Sequence, residues 1–105
     1  MKKYKLKENI VYRKEDDGAL IYDHDSGNMK PLNETAAVMC ELMFMELKSK
    51  EDTLSAIKKL WRVTDEELVR RDIDEFIEGM KKLGFIVPVD YKIDILNQES
   101  ASARA

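Results

Sequence analysis

The apolar pattern of this chain changes its period at Asn33, and that change limits the folds open to it. The preceding residues form short β-branched and aromatic runs separated by turn residues, which is typical of strands. From Ala36 the chain is rich in Ala, Met, Leu and Glu, which are strong helix formers. Asn33 is a favoured N-cap residue, and Glu34 lies in the first turn, where the helix dipole favours an acid. A sheet followed directly by helices is therefore predicted.

Three strands are predicted before Asn33: "IVYRKE" (10–15), "ALIYD" (19–23) and "NMKPL" (28–32). Asp17-Gly18 suits a tight hairpin, and Gly27 supplies a left-handed residue in the second turn. The expected order is an antiparallel meander. Proline cannot donate a hydrogen bond to the middle of a sheet, so Pro31 places the third strand at or near an edge.

Three helices are predicted after Asn33. The first is apolar on most sides and should lie at the centre of the core, and the second is short and amphipathic. The third should begin at a capping box formed by Thr64 and Glu67 and end at Gly84. Its predicted apolar stripe consists of Val69, Ile73, Phe76, Met80 and Leu83. "FIVPV" then forms a short extended exit.

The predicted fold class is α+β: a three-stranded antiparallel sheet followed by three helices, similar to a winged helix. The 105 residues suffice for one domain, placed at residues 10–88. Residues 1–9 form a basic N-terminal segment that is expected to be loosely ordered. Residues 89–105 form an extension. Its start, "VDYKIDIL", alternates as a strand does and is expected to pair with a sheet edge, within the chain or across a homodimer; the polar remainder is expected to be disordered.

The chain contains few of the residue types and motifs that form metal sites, phosphate-binding loops or catalytic sites. One histidine and one cysteine cannot form a usual zinc site, and no glycine-rich phosphate loop is present. Cys40 lies in the apolar helix and is expected to be core, and His24 is expected to be exposed in a turn. We therefore predict a binding protein with no catalytic residue, no metal and no cofactor. A single cysteine and the lack of a membrane-length apolar run indicate a cytoplasmic protein without a membrane partner.

Two kinds of partner suit this layout. A winged helix suggests DNA, but residues 64–83 carry seven acids and four bases, which repel phosphates; DNA-binding regulation is therefore the alternative. The other partner is a peptide, added as a further strand to the free edge of the third strand. Pro31 then either belongs to a docking rim or only protects that edge against aggregation.

Three segments together resemble the PqqD-like family: "GALIYDHDSGNMKPLNETAAVMCEL", "TLSAIKKLW" and "DIDEFIEGMKKLGFI". The resemblance covers about residues 10–87. It implies a winged-helix-like domain that binds the leader of a ribosomally synthesised precursor peptide, beside the third strand and against the third helix. It also implies delivery of that peptide to a partner enzyme, often a radical-SAM enzyme, without catalysis by the domain itself.

The expected groove joins the third strand to one flank of the third helix. Ile77 is expected to lie off the centre of the apolar stripe and to receive a leader side chain, while Arg70 and Lys81 would meet acidic leader residues. The predicted binding residues are Asn28, Met29, Lys30, Pro31, Leu32, Arg70, Asp74, Ile77 and Lys81. The opposite flank, Leu68, Asp72 and Gly79, is the competing choice.

Overall fold

The computed structural model describes residues 3–89 and gives them an α+β fold. The strands are β1 (Tyr4–Leu6), β2 (Ile10–Glu15), β3 (Gly18–Asp23), β4 (Met29–Asn33) and β5 (Ile86–Pro88). The helices are α1 (Glu34–Cys40), α2 (Lys50–Leu60) and α3 (Glu66–Lys82). No helix among these residues combines the length and apolarity needed to cross a bilayer.

The main sheet is the predicted antiparallel meander. Its order is β2-β3-β4, which confirms that β4 is an edge strand. Glu15 pairs with Gly18, so Asp16 and Asp17 form the turn, and the prediction of Asp17-Gly18 is wrong by one residue. Gly18 is instead required inside β3, because a Cβ atom there would lie 2.0 Å from the carbonyl oxygen of Leu32.

The strand-to-helix junction follows the prediction closely. The Asn33 side chain accepts a hydrogen bond from the backbone N–H of Ala36 at 2.8 Å, so Asn33 is the N-cap of α1. Leu32, one residue earlier, is buried in the core. Because β4 runs into α1 without a loop, the position of the sheet edge is fixed relative to the core.

The first helix lies at the centre of the core, as predicted. It continues beyond α1 as a π-helical segment, Glu41–Met45, and its buried side chains include Met39, Cys40, Met43 and Phe44. The Tyr12 hydroxyl on β2 donates a hydrogen bond to Glu41 Oε2 at 2.6 Å. This bond connects the main sheet to the first residue of the π-helical segment.

The N-terminal segment is ordered from Lys3, contrary to the expectation. β1 pairs antiparallel with β5 in a second sheet, with Lys5 opposite Val87. The pairing is extended by a hydrogen bond from Val89 N–H to the carbonyl oxygen of Lys3 at 2.9 Å. A three-residue strand is too short for a recognisable sequence pattern, and its partner lies at the other end of the domain. A strand is also predicted at the start of the C-terminal extension. From residue 90 onward, that segment lies outside the described residues.

α3 differs from its prediction in its start and in its buried face. Its N-cap is Asp65 rather than Thr64, with the Asp65 side chain accepting the Leu68 N–H at 3.2 Å. Its end is as predicted: Gly84 has a φ of 74°, and its N–H donates to the carbonyl oxygen of Lys81 at 3.0 Å. The fully buried positions are Ile73, Ile77 and Met80, whereas Val69 and Phe76 are half-buried and Leu83 is exposed.

Candidate functional site

The outer side of β4 carries unpaired backbone groups. Asp23 N–H donates to the carbonyl oxygen of Asn28 at 2.8 Å, at the turn where β3 leads into β4. Hydrogen-bonded pairs alternate along an antiparallel ladder, so Lys30 and Leu32 bond to β3. The backbone groups of Met29, Pro31 and Asn33 therefore point away from β3. No strand within residues 3–89 covers that side.

Pro31 is placed so that it leaves the ladder to β3 intact. Its partner across the ladder, Leu20, forms a pair without hydrogen bonds, so the missing N–H of Pro31 faces outward. The free edge offers the N–H groups of Met29 and Asn33 and the carbonyl oxygens of Met29 and Pro31. Both interpretations of Pro31 agree with this geometry, because the edge has lost one donor but keeps a short row of groups for an added strand.

A cleft opens where β4 and α1 meet α3. Its volume is about 480 Å³, and its lining consists of Asn33, Thr35, Ala36, Met39, Asp72, Glu75 and Phe76. Met39 is buried and Phe76 is half-buried, so the floor is apolar. The ring of Phe76 stacks on that of Phe44 with centroids 5.7 Å apart, which holds Phe76 against the core. The cleft therefore adjoins the end of β4 at Asn33.

The predicted charged residues of α3 lie on the other side of the helix. Arg70 pairs with Glu51 of α2, and the Lys50 Nζ atom of α2 lies 2.6 Å from Asp74 Oδ1. The Glu51 side chain raises the pKa of Arg70, and Arg70 in turn lowers the pKa of Glu51. Two of the three predicted charged residues of α3, Arg70 and Asp74, therefore form ion pairs with α2.

Lys81 and Ile77 face β1 and the core. The Lys81 Nζ atom lies 5.4 Å from the centre of the Tyr4 ring and 3.4 Å from Glu78 Oε1, and these two partners raise its pKa. Ile77 is only 7 % exposed and lines a small cavity with Tyr4 and Phe44. The expectation that Ile77 lies off the centre of the stripe is therefore wrong, because β1, which was not predicted, covers that flank.

The structure brings the competing flank of α3 to the β4 side. Asp72 lines the cleft together with Glu75 and Phe76, neither of which was chosen from the sequence. The sequence predicts Phe76 as a core residue because its spacing matches the apolar stripe. The useful signal was the acidic character of its neighbours, since a face with two carboxylates beside an aromatic ring is seldom fully buried.

The five predicted residues on the strand have different environments. Met29 is 62 % exposed and Pro31 is exposed, so both are accessible at the edge, and Asn28 is exposed in the turn. Lys30 is half-buried, and the side chain of Leu32 is buried in the core. Met29 and Pro31 are thus the predicted residues whose backbone groups lie on the free edge of β4.

The one cysteine and the one histidine of the chain lie as predicted. Cys40 is fully buried, and this burial, together with the nearby Glu41 carboxylate, raises the pKa of its thiol to about 12. At neutral pH the thiol is protonated, which disfavours nucleophilic chemistry. His24 is exposed in the turn before β4.

Comparison with known proteins identifies related folds. The family model for Coenzyme PQQ synthesis protein D (PqqD) matches residues 18–86. The complex of TbiB1 with the TbiA(beta) leader peptide is similar, with 22 % identity, a TM-score of 0.70, and coverage of 78 % of this chain and 93 % of that chain. A lasso peptide synthetase B1 complexed with the leader peptide gives 24 % identity, a TM-score of 0.72, and coverage of 82 % and 99 %. No curated protein sequence matches the chain.

Proposed function

Because the chain belongs to the PqqD family, we propose that it binds the leader region of a ribosomally synthesised precursor peptide and delivers that peptide to a modifying enzyme. The observation that carries this proposal is the free outer side of β4, located beside the open cleft at α3. The two similar structures are complexes with leader peptides, which supports the same role here.

The proposed binding mode is strand addition. The leader would form hydrogen bonds with Met29 and Pro31 at the edge of β4, and its inward side chains would contact Met39 and Phe76. Backbone hydrogen bonds of this kind provide affinity, and the side-chain contacts provide specificity. The predicted α3 residues Arg70, Asp74, Ile77 and Lys81 contact α2 or β1 instead, so the proposed groove uses the flank that contains Asp72.

The proposed role is binding rather than catalysis, and the modifying enzyme performs the chemistry. A radical-SAM protein is the class of partner that the PqqD-like resemblance implies, and a cytoplasmic location follows from a ribosomal substrate. DNA binding is the weaker candidate. The first turn of α3 contains Glu66 and Glu67, which would face the phosphates if α3 were a recognition helix.

Titration with two ligands tests the proposal. One is a leader peptide, for which a short precursor gene is sought among the neighbours of the gene of this protein, and the other is duplex DNA. We expect micromolar or tighter binding of the leader, and weak binding of DNA at moderate salt. Tighter binding of DNA, with an affinity that falls steeply with salt, would contradict the proposal.

A further inference from the structure

The cleft beside β4 carries negative charge that has no counterpart in the fold. Asp72 and Glu75 line the cleft, and no cation within residues 3–89 pairs with either carboxylate. The other lining side chains are neutral: Asn33, Thr35, Ala36, Met39 and Phe76. A ligand in this cleft therefore meets two carboxylates beside an apolar floor.

Several other carboxylates of α2 and α3 form ion pairs within the fold. Asp74 is paired with Lys50, Glu66 with Lys58, and Glu78 with Lys81. These pairs connect α3 to α2 or lie along α3 itself. Asp72 and Glu75 form no such pair among residues 3–89, so a cation of a ligand could contact them without breaking an ion pair of the fold.

Lys30, the cation of β4, lies apart from the cleft. Lys30 lies three residues before Asn33, roughly 10 Å away along an extended strand, whereas Asn33 itself lines the cleft. Lys30 thus lies near the start of β4, and the two carboxylates of the cleft lie near its end at Asn33.

We propose that the leader segment bound along β4 carries a lysine or arginine that contacts Asp72 and Glu75, with an apolar side chain two residues away on Phe76 and Met39. This inference rests on the proposed function and specifies the sequence that the site selects. Alternate side chains of a strand lie about 6.7 Å apart on one face. Asp72 and Phe76 are one turn apart on α3, about 6 Å along its axis, so their spacing is similar to that of two alternate residues of a strand.

The test is selection from a displayed library of random peptides. The target proteins are the full-length wild-type chain, the double variant Asp72→Asn/Glu75→Gln, and the control variant Asp74→Asn. Asp74 is also exposed on α3, but its side chain faces Lys50 on α2. Selection on the wild type and on the control variant should enrich peptides that carry a Lys or Arg two positions away from an apolar residue. The double variant should enrich the apolar residue without the cation.

Synthetic peptides make the comparison quantitative. Replacing the selected lysine by norleucine should weaken binding to the wild type by about two- to fivefold, as expected for an exposed ion pair. The same replacement should leave binding to the double variant unchanged, and added salt should reduce the difference for the wild type. Thermal unfolding of each variant checks that the fold is intact.

Two results would contradict the inference in different ways. If enriched peptides shift the backbone amide signals of Met29 and Asn33 but show no preference for a cation, the specificity is wrong and the proposed function stands. If no peptide affects those signals, the proposed function itself is overturned.

Discussion

The rings of Phe44 and Phe76 stack 5.7 Å apart, and this contact places an aromatic side chain of α3 at the floor of the cleft. Phe44 is buried in the core, whereas Phe76 is half-buried. Phe76 is therefore both a packing residue and the apolar surface that a bound strand would cover. Its neighbour Ile77 points about 100° away around the helix and is buried beside Tyr4 of β1.

Replacing Phe76 and Ile77 by alanine should separate binding from stability. Phe76→Ala removes the apolar floor, so leader affinity should fall by about tenfold, with a loss of about 1–2 kcal/mol in the free energy of unfolding. Ile77→Ala should cost about 2–4 kcal/mol of stability and leave leader affinity unchanged while the protein is folded. Urea unfolding and calorimetric titration measure the two effects. A larger loss of affinity for Ile77→Ala would place the groove on the α2 flank instead.

Gly18→Ala should disrupt the β3–β4 ladder. The added Cβ atom would lie 2.0 Å from the Leu32 carbonyl oxygen, and that backbone group is held in the sheet, so we expect a loss of about 2–4 kcal/mol. Gly79→Ala is the control, because nothing lies within 4 Å of its added Cβ atom. That variant should be more stable by about 0.5–1 kcal/mol, since alanine favours the helix. Urea midpoints compare the two, and equal effects would contradict the packing at Gly18.

Removing residues 1–6 should destabilise the domain, although they precede its main sheet. Tyr4 and Leu6 pack against the core, and β1 pairs with β5. We expect a loss of about 1–3 kcal/mol in the free energy of unfolding, from the apolar area that becomes exposed. An unchanged urea midpoint would show that β1 contributes no stability.

Stability should fall at alkaline pH, partly through Cys40. Burial raises the pKa of its thiol to about 12, above the ordinary value of an exposed thiol. The stabilisation from the protonated thiol is complete below the unfolded-state pKa and is lost as pH rises towards 12. Between those values the unfolding free energy should decrease by up to about 1.4 kcal/mol per pH unit.

The variant Cys40→Ala isolates this contribution. Its unfolding free energy should depend less steeply on pH above about 9, where an exposed thiol ionises. Tyr12 gives a remaining slope of the same sign, because burial and the Glu41 hydrogen bond raise the pKa of its phenol. Identical slopes in wild type and variant would show that Cys40 ionises as an exposed thiol does.

The sequence predicts those features that depend on local chemistry. Asn33 caps α1 and Gly84 ends α3 because each satisfies orphan backbone groups within a few residues. Pro31 marks the edge of the sheet for a similarly local reason, the lack of an N–H. These three positions locate β4, α1 and the end of α3 without knowledge of tertiary contacts.

The errors concern contacts between distant segments. β1 escapes prediction because its partner β5 lies about 80 residues later in the chain and both strands are short. The face of α3 is misjudged for the same reason. Phe76 and Ile77 are both apolar, and helical spacing alone does not show which of them is buried. That is determined by α2 and β1, which cover one flank of α3. The third-helix residues predicted for the site, Arg70, Asp74, Ile77 and Lys81, consequently lie on the flank of α3 that contacts α2 and β1.

The central claim is strand addition at β4, and a proline substitution at Met29 tests it most directly. Met29 directs its N–H away from β3, so Met29→Pro removes an edge donor and leaves the β3–β4 ladder intact. Lys14→Pro is the matched control on β2, because Lys14 is exposed and pairs with Ala19, and its backbone groups likewise point away from β3. The measurement is leader affinity by calorimetric titration for both variants. Strand addition at β4 predicts a loss of about two- to tenfold for Met29→Pro, from one hydrogen bond, and no change for Lys14→Pro. Unchanged affinity for Met29→Pro, or a loss confined to Lys14→Pro, would contradict it.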